Sequence, residues 1–162
     1  MSVINSAEFA IAREQLAGKV AVASLPRLAD AVLDHAAELV WSLEGGVDKL
    51  ERPYLFLQVS GELQLRCQRC LKAMPFQLAC ETVLTQFADE ALLDEAEEAD
   101  EDLEGLLIDP ALDVLALVEE EVLLALPYAP RHDRCDADDV MIVSDKPNPF
   151  AVLAQLKTRK AE

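Results

Sequence analysis

Cys67-Gln-Arg-Cys70 is the stretch of this 162-residue chain whose residue types could do chemistry most directly. Two thiolates three residues apart in a tight turn can both face one tetrahedral metal ion. A structural zinc needs two more ligands, and His132-Asp-Arg-Cys135 offers an imidazole and a thiolate at similar spacing. The same residues admit a plainer account, with Cys67 packed at a strand end, Cys70 and Cys135 as exposed thiols and His132 in a loop. A redox dithiol is a third use of the motif. That chemistry usually places the first cysteine at a helix N-terminus in a βαβ unit, which the flanking residues do not support. Cys80, between Leu78 and Thr82 on an inward-facing set of positions, is expected to be a buried structural thiol.

Arg66, Arg69 and Lys72 put three positive charges around the cysteine turn. Together with Arg131, Arg134 and the C-terminal Lys157, Arg159 and Lys160 they could compose a phosphate-binding patch. Solubility and pairing with nearby carboxylates would explain the same charges. Apart from Phe76, no aromatic residue of the stacking kind stands near the turn in sequence, so base-specific reading is not expected. Glu119-Glu-Glu121 reads as a solvated helix face. His35 and His132 belong to no Ser or Asp pattern of a triad, and no glycine-rich phosphate loop occurs. An enzymatic activity has no residues to attach to, and no catalytic residue is assigned.

The elements that must position the cysteine turn are legible in the hydropathy pattern. After Pro53, Leu55, Leu57, Val59, Gly61, Leu63, Leu65 and Cys67 fall on one face of an extended strand, and Gln58, Ser60, Glu62, Gln64 and Arg66 on the other. An uninterrupted period of two over this length predicts a long antiparallel strand with one wet face, bent at Gly61. A second strand is predicted from Phe76 to about Phe87, which makes Cys67 to Pro75 the connection of a hairpin. Upstream, the first 35 residues look helical, with Pro26 opening a short helix over Arg27 to Asp34. Leu39, Trp41 and Leu43 predict a strand broken by Gly45-Gly46.

Downstream, Leu106 to Ile108 reads as a short strand. Asp109-Pro110 or Asp113 then starts a helix whose buried face holds Val114 or Leu115, Val118 and Val122, and Pro127 ends it. Tyr128 to Asp145 looks irregular, and a last helix is predicted from Pro149 to about Lys160. The expected fold class is therefore α+β: an antiparallel sheet built on a long bent hairpin and packed by two or three helices, in a single domain over 1–162.

Charge is unevenly spread. Of the formal net charge of −17, sixteen acidic residues and no Lys or Arg lie between Ala73 and Pro130, against fifteen acidic and fourteen basic residues elsewhere. Ten of those acids fall from Asp89 to Glu104, where like-charge repulsion predicts a mobile, disordered acidic loop with at most transient helix. A confined acidic lobe leaves room for a basic face elsewhere. With 52% apolar residues a core is within reach without disulfides. No apolar run is long enough to span a bilayer, and the N-terminal residues lack a secretory pattern. The cytoplasm, with reduced thiols, is the expected compartment.

In order along the chain come Cys67-Gln-Arg-Cys70, Asp113-Val-Leu-Ala-Leu-Val-Glu-Glu-Glu-Val-Leu-Leu-Ala-Leu-Pro127, His132 with Cys135, and Lys146-Pro-Asn-Pro-Phe-Ala-Val-Leu-Ala154. This series resembles the YceD family, the large ribosomal RNA subunit accumulation proteins, over about residues 29–160. The resemblance implies a non-enzymatic role in accumulation or processing of large-subunit ribosomal RNA. The partners it implies are precursor RNA or the assembling large subunit. The alternative function is an acidic adaptor whose acidic segment holds a basic ribosomal protein, and a further alternative is a zinc- or thiol-based redox module centred on Cys67 and Cys70. Some relatives carry additional cysteine pairs where this chain has only Cys135 with His132 nearby.

Overall fold

The computed structural model describes residues 2–135 of the chain. Its centre is a five-stranded sheet of β2 (Gln15–Ala21), β3 (Glu38–Val47), β4 (Pro53–Arg66), β5 (Ala73–Phe87) and β6 (Glu104–Leu107), hydrogen-bonded in that order. The first four strands run antiparallel and β6 pairs parallel to β5. A second, two-stranded ribbon joins β1 (Val3–Ile4) to β7 (Leu112–Asp113). The α+β class and the mainly antiparallel sheet are as the alternation predicts.

The long hairpin β4–β5 pairs from Tyr54 with Thr85 down to Arg66 with Ala73. Its odd-numbered β4 residues Leu55, Leu57, Val59, Leu63 and Leu65 are buried, because the period of two puts them all on one face. Three helices cover that face: α1 (Ser6–Ile11), α2 (Pro26–Ala31) and α4 (Val114–Ala125). Phe9 and Ala10 of α1, Leu28 of α2, and Val114, Leu117, Val118 and Val122 of α4 join the strand residues in one core. The opposite sheet face stays wet, with Val40 and Val83 half-exposed among polar neighbours.

Four expectations are corrected. Gln15–Ala21, expected as helix, is an edge strand that pairs along β3, with Val20 buried opposite Leu39. Gly45-Gly46 does not break β3. A Cβ at Gly45 would stand 2.5 Å from the Phe9 carbonyl oxygen, and one at Gly46 would strike the Tyr54 ring, so the pair lets α1 and Tyr54 lie against the strand. Residues 89–104, expected as a disordered acidic loop with at most transient helix, carry the helix α3 over Glu90–Ala99. Asp89 caps it by accepting from Leu92 N–H at 3.0 Å, Ala, Leu and Glu are strong helix formers, and Leu93 docks over Gly105, where a Cβ would collide with it. Those local terms outweigh the repulsion.

Glu119, assigned to a solvated face, is only 6% exposed. Its Oε1 accepts from Leu28 N–H at 3.0 Å and its Oε2 from Arg27 Nε at 3.4 Å, where α2 crosses α4. Leu25, the N-cap residue of α2, offers no side-chain cap, so Glu119 supplies the missing acceptor from another helix.

Candidate metal centre and the adjoining basic cleft

The end of the β4–β5 hairpin is a tight turn of Cys67 to Lys72, shorter than the predicted connection because β5 already begins at Ala73. Cys67 N–H donates to the Lys72 carbonyl at 2.9 Å, and Leu71 N–H to the Cys67 carbonyl at 2.9 Å. Closing the turn so tightly sends Leu71 into the left-handed region at φ 63°, which side chains with a Cβ rarely adopt. Cys67, next in the apolar alternation after Leu65, is fully buried, while Cys70 is half-buried. The segment after α4 comes to this turn: Pro127 stops the helix, and Gln68 N–H donates to the Pro130 carbonyl at 2.8 Å.

That contact brings His132 and Cys135 onto the cysteine pair. Cys67 Sγ lies 3.7 Å from Cys135 Sγ, Cys70 Sγ 3.3 Å from His132 Nδ1, and Cys135 Sγ 3.7 Å from the same nitrogen. The donor atoms of all four lie within 4.8 Å of one another. His132 Nε2–H donates to the Ala73 carbonyl at 3.3 Å, so Nδ1 is the ring nitrogen that faces the sulfurs. Arg69 caps the group, donating from Nε to Cys135 Sγ at 3.2 Å and from Nη2 to the His132 carbonyl at 3.0 Å.

The electrostatics favour thiolate at Cys67 and oppose it at Cys70. Burial by itself pushes the Cys67 thiol up, but backbone N–H groups of Cys70, His132 and Arg69, and the Cys70 side chain, outweigh it and bring the group down to about 5. Cys70 moves the other way: the Lys72 N–H lowers it, and burial together with the neighbouring Cys67 and Cys135 sulfurs raises it above its ordinary value. Hydrogen bonds with Cys135 and Cys67 raise His132, and the bond to Cys135 raises Arg69. A three-sulfur, one-nitrogen set of this kind can hold a tetrahedral metal ion. The first cysteine follows a β-strand, so the helix N-terminus that activates dithiol oxidoreductases is not there. Cys80 is half-buried on β5 opposite Val59 and takes no part in the cluster.

The family model for "Large ribosomal RNA subunit accumulation protein YceD" matches residues 55–157. A relative from Haemophilus influenzae that carries that name is 31% identical over 154 residues, covering 88% of this chain and 87% of its own. The chain belongs to the YceD family. No solved structure matches it. The YceD match takes in the long hairpin, α3, α4 and all four residues of the cluster.

Among the basic residues singled out in this YceD-family chain, Arg66 ends β4 on the exposed side and Lys72 closes the turn. Arg69 is committed to the sulfur cluster by two of its nitrogens. Lys157, Arg159 and Lys160, and the predicted last helix, lie outside the described residues. Beside the turn is an open cleft lined by Gln68, Arg69, Tyr128, Ala129 and Arg131. Tyr128 is fully exposed there. Nothing in the sequence near Cys67 signals that aromatic residue, because it arrives from a segment about sixty positions away. In sequence Phe76 remains the one stacking aromatic near the turn, and the fold adds Tyr128 in space.

Proposed function

We propose that the chain is a non-enzymatic, cytoplasmic factor in assembly of the large ribosomal subunit, contacting precursor large-subunit RNA through the cleft beside the Cys67–Lys72 turn. Tyr128 carries the RNA reading. A fully exposed ring in a cleft that Arg69 and Arg131 also line offers a stacking platform with cations nearby. Arg66 and Lys72 extend the positive charge along the hairpin end.

The acidic helix does not oppose this. β6, on which α3 packs, pairs with β5 from Leu84 onward, eleven residues past Ala73. At a strand rise of about 3.3 Å that is about 36 Å, several times the Debye length of about 8 Å at physiological salt. RNA can therefore approach the turn without entering the field of α3.

The alternative, an acidic adaptor for a basic ribosomal protein, draws support from α3, whose carboxylates Glu90, Asp94, Glu95, Glu97 and Glu98 are all exposed. One experiment separates the two. Cells carry Tyr128→Ala with Arg131→Glu, or neutralising substitutions over Asp94 to Glu104, and mature large-subunit RNA is measured. The RNA reading expects a defect in the first strain, and a loss of affinity for single-stranded precursor RNA of about tenfold or more, since stacking contributes about 1–3 kcal/mol per base. A defect confined to the second strain supports the adaptor. Normal large-subunit RNA in both strains and in a deletion strain overturns the ribosomal assignment.

A further inference from the structure

Toward the end of β5 away from the cysteine turn, residues of α3, β6 and α4 enclose an open groove of about 380 Å³. Its apolar lining is Leu84, Leu103, Leu106, Leu117 and Leu124. Leu84 and Leu117 are buried, but Leu124 is 76% exposed although it sits on a helix whose other face enters the core. Every polar side chain that lines the groove is a carboxylate: Glu97, Glu104, Glu120 and Glu121.

Nothing in the groove answers that charge. No Lys or Arg lies between Ala73 and Pro130, so none of the elements that form it supplies a cation. The ion pairs Arg27–Glu119 and Arg52–Asp48 lie elsewhere. Burial, then repulsion from Glu104 and Glu120, raises the Glu121 carboxyl, with Thr82 opposing. An apolar slot rimmed by like charges is complementary to a segment that carries apolar side chains on one face with Lys or Arg beside them.

This chain carries such a segment beyond the described residues. Phe150, Leu153 and Leu156 recur at intervals of three, and Lys157, Arg159 and Lys160 follow directly. On the helix that this spacing predicts, Phe150 to Leu156 spans about 9 Å, against about 10 Å from Leu117 to Leu124 along α4, at a rise of about 1.5 Å per residue. The connection is long enough. Cys135 lies at the turn, and the fifteen residues from there to Phe150 reach up to about 50 Å. Leu84 is about 36 Å along β5 from the turn. A segment of the same chain is also presented at an effective concentration on the order of millimolar, which favours it over a separate partner.

We propose that residues 149–160 dock in the groove of their own chain, with Phe150, Leu153 and Leu156 on its leucines and Lys157, Arg159 and Lys160 among Glu97, Glu104 and Glu120. The three C-terminal cations then answer carboxylates rather than phosphate. The inference stands apart from the RNA reading, which uses the cleft at the other end of the hairpin.

Zero-length carbodiimide coupling of the full chain joins a lysine to a carboxylate only where the two touch. Lys157 and Lys160 should couple to Glu97, Glu104 or Glu120 about fivefold or more above Glu38 and Glu62, which are exposed on the wet face. Glu62 is the stringent control: it lies about 13 Å from the end of β4, so a tether without docking would favour it over the groove. In an equal mixture of nitrogen-14 and nitrogen-15 chains, the coupled peptides should carry one isotope only. Leu124→Asp, at an exposed position, should keep the wild-type urea midpoint and lose the preference for the groove. Glu97→Lys with Glu120→Lys should lose it too, and adding Lys157→Glu and Lys160→Glu should restore coupling with the charges exchanged.

Even coupling to Glu62 and the groove overturns the proposal, as does an unchanged pattern in Leu124→Asp. Mixed-isotope products in statistical proportion overturn it in favour of a second copy. No groove coupling, together with a large-subunit RNA defect in Leu124→Asp cells, overturns it in favour of a separate basic protein. Tyr128→Ala with Arg131→Glu should leave the coupling pattern unchanged whatever happens to RNA binding, so the two readings fail separately.

Discussion

Glu119→Ala tests the least foreseeable contact in the fold. Glu119 accepts two hydrogen bonds of unequal worth. The one from Leu28 N–H, at 3.0 Å and buried, satisfies a donor in the first turn of α2 that has no local cap. A hydrogen bond to an ionised acceptor contributes about 1.5–3 kcal/mol, and the orphaned N–H would stay buried. The second, from Arg27 Nε, is long at 3.4 Å, and the arginine side chain is 58% exposed. Such a half-solvated pair is worth about 0.5 kcal/mol or less.

Glu119→Ala should therefore cost about 2–3 kcal/mol. With an unfolding entropy of about 2.1 cal/mol/K per residue over some 135 residues, that is a fall in Tm of about 7–11 °C. Glu119→Gln keeps the acceptor and should cost about 1 kcal/mol, and Arg27→Ala about 0.5 kcal/mol or less. Urea unfolding followed by circular dichroism ranks the three. A Glu119→Ala protein within 0.5 kcal/mol of wild type, or an Arg27→Ala protein as weak as Glu119→Ala, would refute the capping account.

Val118, fully buried on α4, should not accept a charge: Val118→Asp is expected to cost more than about 4 kcal/mol, and a folded variant of unchanged urea midpoint would show that α4 does not pack as described. Leu71→Gly should gain about 0.5–1 kcal/mol, the left-handed cost of about 1–2 kcal/mol less the extra chain entropy of glycine, and a loss of stability on thermal melting would contradict it. Burial, then repulsion from Glu104 and Glu120, raises the Glu121 carboxyl above its usual range although Thr82 pulls the other way. A raised folded value means that stability falls as pH climbs from the unfolded value of about 4.3 through the folded one. Glu121→Gln should thus be more stable than wild type at pH 7, by about 0.3 kcal/mol, with the advantage fading as pH drops below 4; equal stability at both pH values counts against it.

How much was readable beforehand depended on whether the deciding interaction was local. Periodicity is a local property, so Leu55 to Cys67 announced β4, the hairpin and the buried face without any partner in view. Asp113 and Pro127 likewise marked the ends of α4. Local capping and propensity would also have given α3, had the charge of residues 89–104 been weighed against Asp89 and the Ala-Leu-Glu content.

Other features lay beyond local reading. Gln15–Ala21 is a strand because β3 offers it an edge, and Gly45 and Gly46 sit inside a strand because α1 and Tyr54 press on them. Glu119 differs from Glu120 only in facing α2, 91 residues earlier in the chain. The sequence by itself determined the donor types of the cysteine cluster and the hairpin turn that carries two of them. Tertiary structure alone decided that His132 and Cys135 cross some sixty residues to meet them, and that Tyr128 arrives beside Arg69. The physical reason is that chain spacing fixes geometry only within a turn or a strand, whereas contacts between distant segments follow from how a shared core packs.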